Sequence, residues 1–274
     1  MRVINSWKDK QTIIFCEEAR MFTFNFIVKQ MLNLTPENPL TARILHDFLT
    51  FMKGLVSVPI YILGTPYAKE MQARQRIVSA VHMIPEERSK QGSDYKPLGD
   101  FLDILLASNN VESNEKLSLV MDLLLGGYET TYLLLAIIMH LLSDSQLALQ
   151  QLKAKHEMIA STKHKEEHLS WCHYKQMTFT QHVMNEAVRY GNIVKFVHRK
   201  ALKDIKFKDF QIPAGWKVLP VFTGVHLDES LYKDALEFDP WRWQMQCSRQ
   251  FMPFNIKQRF NIRSIHISDR QRFK

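Results

Sequence analysis

A chain of 274 residues with 46% hydrophobic and 23% charged residues is long enough to bury a large core and too apolar to be a disordered tail or linker. Nine glycines and ten prolines exclude a low-complexity protein, and no 20–50-residue period marks a repeat array. Cys16, Cys172 and Cys247 are odd in number and lack CxxC spacing, which argues against a disulfide framework or zinc site and suits a reducing, cytosol-facing environment. Most of the net charge of +8 sits in the tail, where Lys257, Arg259, Arg263, Arg270, Arg272 and Lys274 face only Asp269. That distribution speaks against a nucleic-acid platform.

The first ten residues lack an apolar stretch flanked by basic residues, so neither a signal peptide nor an anchor is expected there. Glu17 to Met31 and Thr41 to Leu55 place Phe22, Phe26, Leu45, Phe48, Leu49 and Met52 at helical steps, which predicts two amphipathic helices. Pro59, Gly64 and Pro66 break the pattern before a basic helix near Tyr67 to Arg88, and Ser89 to Gly99 reads as a polar linker. Asp100 begins another helix, with Ser113 a plausible N-cap for the long one that runs to Leu142. Leu117 to Leu142 is apolar but contains Asp122, Glu129 and Gly126-Gly127. Those charges favour a buried soluble helix over a membrane span.

Asp144 is expected to cap the next helix, to about Ile159, and Lys163 to His168 reads as a surface loop. His164 and His168 have helical spacing for a metal, but a third ligand is missing nearby, and no metal site is expected. Thr178 to Tyr190 is a helix. After it, Val194 to Ala201, Ile205 to Ile212 and Trp216 to Phe222 are rich in β-branched and aromatic residues. Pro213-Ala-Gly215 separates the last two, which predicts a hairpin between them. The fold class is therefore mainly α with a small β-sheet.

Three segments carry chemistry. Gly126 and Gly127 in mid-helix each cost about 1 kcal/mol relative to alanine; they suit either close approach of a flat ligand, with Glu129 and Thr130 beside it to hold water, or a packing site. Glu186 and Arg189 are three residues apart on one helical face and can pair. Arg242, between Trp241 and Trp243 after Pro240, can reach back to the Glu186 carboxylate with two parallel hydrogen bonds. Such a buried Glu–Arg–Arg network locks a loop and sheet onto a helix.

In this order, Gly126-Gly-Tyr-Glu-Thr-Thr131, Glu186-Ala-Val-Arg189, a hairpin and Phe238-Asp-Pro-Trp-Arg-Trp243 resemble the cytochrome P450 family of haem-thiolate monooxygenases. The longer stretches Pro59 to Lys69, Leu124 to Thr131 and Gly191 to Asp204 resemble its plant brassinosteroid-pathway steroid hydroxylases, the C-23 branch in particular. The resemblance runs from Asn5 to about Phe254. It implies an incomplete P450 fold over 1–254, with 255–274 a divergent basic tail.

The resemblance also implies roles. Glu129 and Thr130 would deliver protons for splitting bound oxygen, Gly126 and Gly127 would flank the oxygen pocket, and Arg199 would pair with a haem propionate. Val194, Phe196 and Val197 would line a sterol pocket, while Lys195 reads as an outward strand residue. Glu186, Arg189 and Arg242 would be structural. Haem is the implied cofactor, a sterol-type molecule the substrate, and an NADPH-dependent flavoprotein reductase the partner. The location implied is the cytosolic face of the endoplasmic reticulum membrane, although the family's anchor is not found in this chain.

One departure stands out. The family's iron loop, Phe-x-x-Gly-x-Arg-x-Cys-x-Gly, is met by Phe254-Asn-Ile-Lys257-Gln-Arg259-Phe-Asn261-Ile-Arg263. Phe254 and Arg259 match, but the thiolate that holds iron becomes Asn261. The alternative reading is therefore an inactive, truncated or frame-altered relative that at most binds sterol or a partner.

Overall fold

The computed structural model describes residues 2–5, 7, 12–89, 99–108, 113–162 and 167–245. Its elements in chain order are α1 (Arg2–Asn5), α2 (Phe15–Leu32), α3 (Pro39–Gly54), α4 (Pro66–Ser89), α5 (Phe101–Ala107), α6 (Ser113–Asp144), α7 (Gln146–Thr162), α8 (Trp171–Gln176) and α9 (Thr178–Gly191). There follow β1 (Arg199–Lys200), β2 (Ile205–Phe207), β3 (Phe210–Ile212), β4 (Lys217–Val218), α10 (Thr223–His226) and α11 (Arg242–Met245). Two compact units divide the chain between Tyr132 and Leu133, inside α6.

In the first unit, Asn38 caps α3 by accepting from the Leu40 amide at 2.9 Å, with Pro39 at the first helical position, where a missing N–H costs nothing. Asp100 caps α5 through the Asp103 amide at 2.9 Å. Helices α3 and α4 lie backbone to backbone at Gly54, where an added Cβ would stand 2.2 Å from the Glu70 Cβ. Along the same pair, buried Asp47 accepts from Arg76 Nε at 2.8 Å and meets Nη2 at 2.7 Å. The core is aromatic: Tyr128 of α6 meets Phe48 edge-on at 5.3 Å and Phe24 at 6.1 Å. Beside them, the Arg20 guanidinium lies 4.9 Å from the Tyr132 ring centre.

Two expectations change here. The buried face of α2 is Ala19, Thr23, Phe24, Val28, Met31 and Leu32, whereas Phe22 and Phe26 are 48% and 55% exposed and stack on each other outside. Apolar residues ring this helix, so periodicity admits several faces, and contact with Phe48 and Tyr128 selects one. Helix α6, expected to be buried, has only 17% of its most apolar window buried, and its 118–144 stretch is long and apolar enough to cross a membrane. Its packing is one-sided, through Val120, Met121, Leu124, Tyr128 and Tyr132 in this unit, while Asp122 and Glu129 remain exposed.

In the second unit, Leu142, Ala148, Phe179 and Val183 form a core against Ile138, Leu152, Phe238 and Trp241. Asp144 is the last residue of α6 rather than the cap of α7; Ser145 stands before α7 and its carbonyl accepts from the Leu149 amide at 3.0 Å. The two helices follow with a single residue between them, so Asp144 is still helical where a cap must leave helical geometry. At α8 a capping box forms between Ser170 and His173. His168 is exposed, and His164 lies outside the described residues.

The strands pair differently from expectation. β2 and β3 form a hairpin within the run Ile205 to Ile212, and β4 pairs antiparallel with β1 through Arg199–Val218 and Lys200–Lys217. Lys208 adopts a positive φ of 53° at the turn, which makes Lys208-Asp209 the reversal. Gly215, with φ 86°, donates to the Ala201 carbonyl at 2.7 Å. The Pro213-Ala-Gly turn thereby returns the chain to the first strand, not the second.

Candidate functional site

Helix α9 positions the site. Phe179, Val183, Glu186 and Ala187 recur at three- and four-residue steps and all are buried, so the stripe that seats the helix carries a carboxylate inward with it. Glu186 and Arg189 are both 0% exposed. An ion pair so placed persists only if its remaining hydrogen-bonding capacity is met.

That condition is satisfied. Arg189 clasps Glu186 with two parallel bonds, Nε to Oε2 at 3.0 Å and Nη2 to Oε1 at 2.7 Å. Its remaining N–H groups donate to the carbonyls of His226 and Ala235, both at 2.7 Å, and Glu237 at 3.0 Å. Glu186 Oε1 also accepts from Arg242 Nε at 2.9 Å and from the Asp239 amide at 3.0 Å, and Oε2 from Trp243 Nε1 at 2.9 Å. Arg242 spreads its other nitrogens over the carbonyls of Lys233, Asp234 and Glu237.

The bidentate partner of Glu186 is thus Arg189, and Arg242 supplies one bond, not the two parallel ones expected of it. Arg242 approaches from the loop, where its fork is taken up by carbonyls that have no strand to pair with. Three neighbouring contacts were not anticipated from the sequence. Trp243 donates its indole N–H, a buried group that needs an acceptor; Trp241 donates to Gln151 Oε1 of α7 at 2.7 Å; and His226 Nδ1 lies 3.0 Å from Asn192 Oδ1. The Trp-Arg-Trp sequence hinted at the first two, whereas nothing in the local pattern marked the third.

Gly126, Gly127, Glu129 and Thr130 sit on α6 in the first unit. The Thr130 hydroxyl donates to the Gly126 carbonyl at 2.6 Å, a back-bond that loosens a helix locally. A Cβ at Gly126 would meet nothing within 4 Å, whereas one at Gly127 would press on Ile27 Cδ1 at 3.1 Å. One glycine therefore leaves open space and the other permits packing. Glu129 is exposed and Thr130 half-buried.

Arg199, Val194, Phe196 and Val197 belong to the second unit. Phe196 bridges to Val221, Val197 donates to the Pro220 carbonyl at 3.3 Å, and Phe222 donates to the Lys195 carbonyl at 2.8 Å. Val194 and Val197 are half-buried, and Phe196 and Lys195 are exposed. Half-buried Arg199 donates to the His198 carbonyl at 3.4 Å. Arg259 and Asn261 lie outside the described residues.

Comparison with known proteins gives one answer. The family model "Cytochrome P450" matches residues 22–256. The chain is 55% identical over 264 residues to cytochrome P450 724B1 of Oryza sativa subsp. japonica, covering 93% of this chain and 55% of that protein. It is 42% identical over 262 residues to the cholesterol 16,22-dihydroxylase CYP90G4 of Trigonella foenum-graecum, covering 92% and 54%. A cyanobacterial CYP120A1 with bound retinoic acid shares the fold, with a TM-score of 0.77 at 24% identity over 89% of this chain and 54% of that one. The chain spans about half the length of the relatives it matches. With the family matched over most of its residues and its signature carboxylate doubly held by Arg189, this chain belongs to the cytochrome P450 family.

Proposed function

We propose that the chain carries the oxygen-activating helix, the structural Glu–Arg–Arg network and the substrate wall of a haem-dependent monooxygenase that hydroxylates a plant sterol or brassinosteroid precursor. The observation that carries this reading is the 55% identity to a rice cytochrome P450 sustained over 93% of the chain. A neighbour at 42% identity is named for oxidising cholesterol at positions 16 and 22, which supports a sterol as the substrate class.

Haem is the family's cofactor and supplies the oxygen chemistry when bound. The described residues fit it in part. Gly126 leaves open space on α6, the surface a flat ring needs, and Arg199 is a cation for a propionate. No thiolate for the iron is placed among them: Cys16 sits half-buried on α2 and Cys172 is exposed on α8, and in this reading Asn261 takes the position of the family's cysteine.

In this reading Thr130 holds a proton-bearing hydroxyl against the Gly126 carbonyl, with Glu129 one residue away as the carboxylate that resupplies it. Gly126 keeps bulk off the oxygen pocket, and Gly127 beside it admits Ile27. Val194, Phe196 and Val197 would offer apolar contact to the sterol, and Arg259 would be a further cofactor contact by family resemblance. A flavoprotein reductase drawing on NADPH would supply electrons at the cytosolic face of the endoplasmic reticulum.

A chimaera tests the reading. Residues 22–254 of this chain replace the matching segment of the rice relative, and the product is assayed with C27 and C28 sterols, the relative's reductase and NADPH. Side-chain hydroxylation, cut at least tenfold by Thr130→Ala, is expected; a folded, haem-loaded chimaera that leaves every sterol unchanged defeats the proposal.

A further inference from the structure

We infer that Asn192 and His226 form a latch that carries the rigidity of the Glu186–Arg189 network into the wall at 192–197 that bears Val194, Phe196 and Val197. This inference rests on the reading of that wall as substrate-facing only for its functional consequence, not for its geometry. Asn192 is the C-cap of α9, in the left-handed region at φ 44° and ψ 47°. Asparagine tolerates that region because its short amide finds local partners. Here Nδ2 donates to the Tyr190 carbonyl at 3.4 Å, and Oδ1 faces His226 Nδ1 at 3.0 Å, with both residues buried. Since an amide oxygen can only accept, Nδ1 must carry the hydrogen.

His226 is held at three further points. Its carbonyl accepts from Arg189 Nη1 at 2.7 Å, its amide donates to Phe222 at 2.9 Å, and its ring lies 6.3 Å from that of Phe222. Phe222 in turn donates its amide to the Lys195 carbonyl at 2.8 Å. The wall therefore hangs between two attachments to one small helix, α10: Asn192 at its start and Lys195 in its middle. Arg189 fixes α10 directly, so the same guanidinium that neutralises Glu186 sets the height of the wall. Asn192 and His226 are positioning residues, because each acts through the wall and neither would touch the reacting atoms.

The test uses the 274-residue chain and three variants. Asn192→Gly keeps the left-handed backbone and deletes the amide; His226→Phe deletes the donor; His226→Asn puts a carboxamide N–H close to the Nδ1 position. Amide hydrogen exchange is followed residue by residue alongside Tm. We expect Asn192→Gly and His226→Phe to speed exchange about tenfold at the Val197 and Phe222 amides, which bond across the wall, the worth of one buried hydrogen bond, with α9 still protected, and His226→Asn to restore most of it.

Unchanged exchange at the Val197 and Phe222 amides in Asn192→Gly, or an equal rise throughout α9, overturns the latch. Equilibrium binding of tritiated cholesterol is the second arm. If the parent binds sterol and Asn192→Gly binds it equally well, the positioning role is wrong. If the parent binds none, the substrate-wall reading fails instead, and exchange alone decides the latch.

Discussion

At the residue scale, Glu186 concentrates the most consequence. Its two oxygens serve donors from Arg189, Arg242, Trp243 and Asp239, so neutralising it strands two guanidinium groups. Glu186→Gln should lower stability by about 3–5 kcal/mol, the usual cost of removing one partner of a buried ion pair, read from the midpoint of urea unfolding. Trp243→Phe removes one charge-assisted donor and should cost about 1.5–3 kcal/mol by the same measurement. His182 gives a pH signature. Its Nδ1 is buried without a partner, and burial lowers its pKa from the ordinary 6.5. The unfolded chain therefore binds the proton more readily, so this contribution to stability is full above about pH 6.5 and is lost as pH falls below it. His182→Phe should flatten that acid limb in thermal melts between pH 5 and 7.5; an unchanged slope would assign the acid loss elsewhere. The Glu–x–x–Arg pairing was legible in the sequence because helical spacing decides it, whereas the identity of the bidentate partner depended on which guanidinium reaches the carboxylate side-on.

At the element scale, the glycines separate packing from access. Gly54 lets α3 and α4 touch, and a methyl there would stand 2.7 Å from the Pro66 carbonyl as well as 2.2 Å from the Glu70 Cβ. Backbone must move, so Gly54→Ala should destabilise by about 1–3 kcal/mol. Gly126→Ala meets nothing within 4 Å and should instead stabilise α6 by about 0.5–1 kcal/mol. Paired chemical denaturation of the two variants should give opposite signs; matching signs would mean that the open side of Gly126 is filled. Helix positions followed from periodicity, since α3, α4 and α9 have strong caps, prolines or apolar stripes. The hairpin did not. The Pro-Ala-Gly turn was correctly seen as a reversal, but a turn says only that the chain returns, and pairing of β4 with β1 was chosen by the Ala201–Gly215 bond and by Phe196 meeting Val221.

Across the whole molecule, apolar side chains stand open to solvent at several places among the described residues. The loop after α3 exposes Val56, Val58, Ile60, Tyr61, Ile62 and Leu63, with Val56 96% exposed. A contiguous patch of this kind favours association. Replacing Val56, Ile62 and Leu63 with serine should raise the soluble, monomeric fraction several-fold in sedimentation velocity without altering Tm; no change would place the sticky surface elsewhere. Family membership was decided by the sequence alone, because a carboxylate and an arginine one helical turn apart, followed at fixed order by a Pro-x-Arg-Trp loop, are local patterns that survive without coordinates. Tertiary structure alone decided which face of α2 is inside, which strand closes the sheet, and that Asn192 and His226 meet across 34 residues. Those outcomes are set by contacts between segments distant in sequence, where several faces or partners are locally equivalent and only mutual packing breaks the tie.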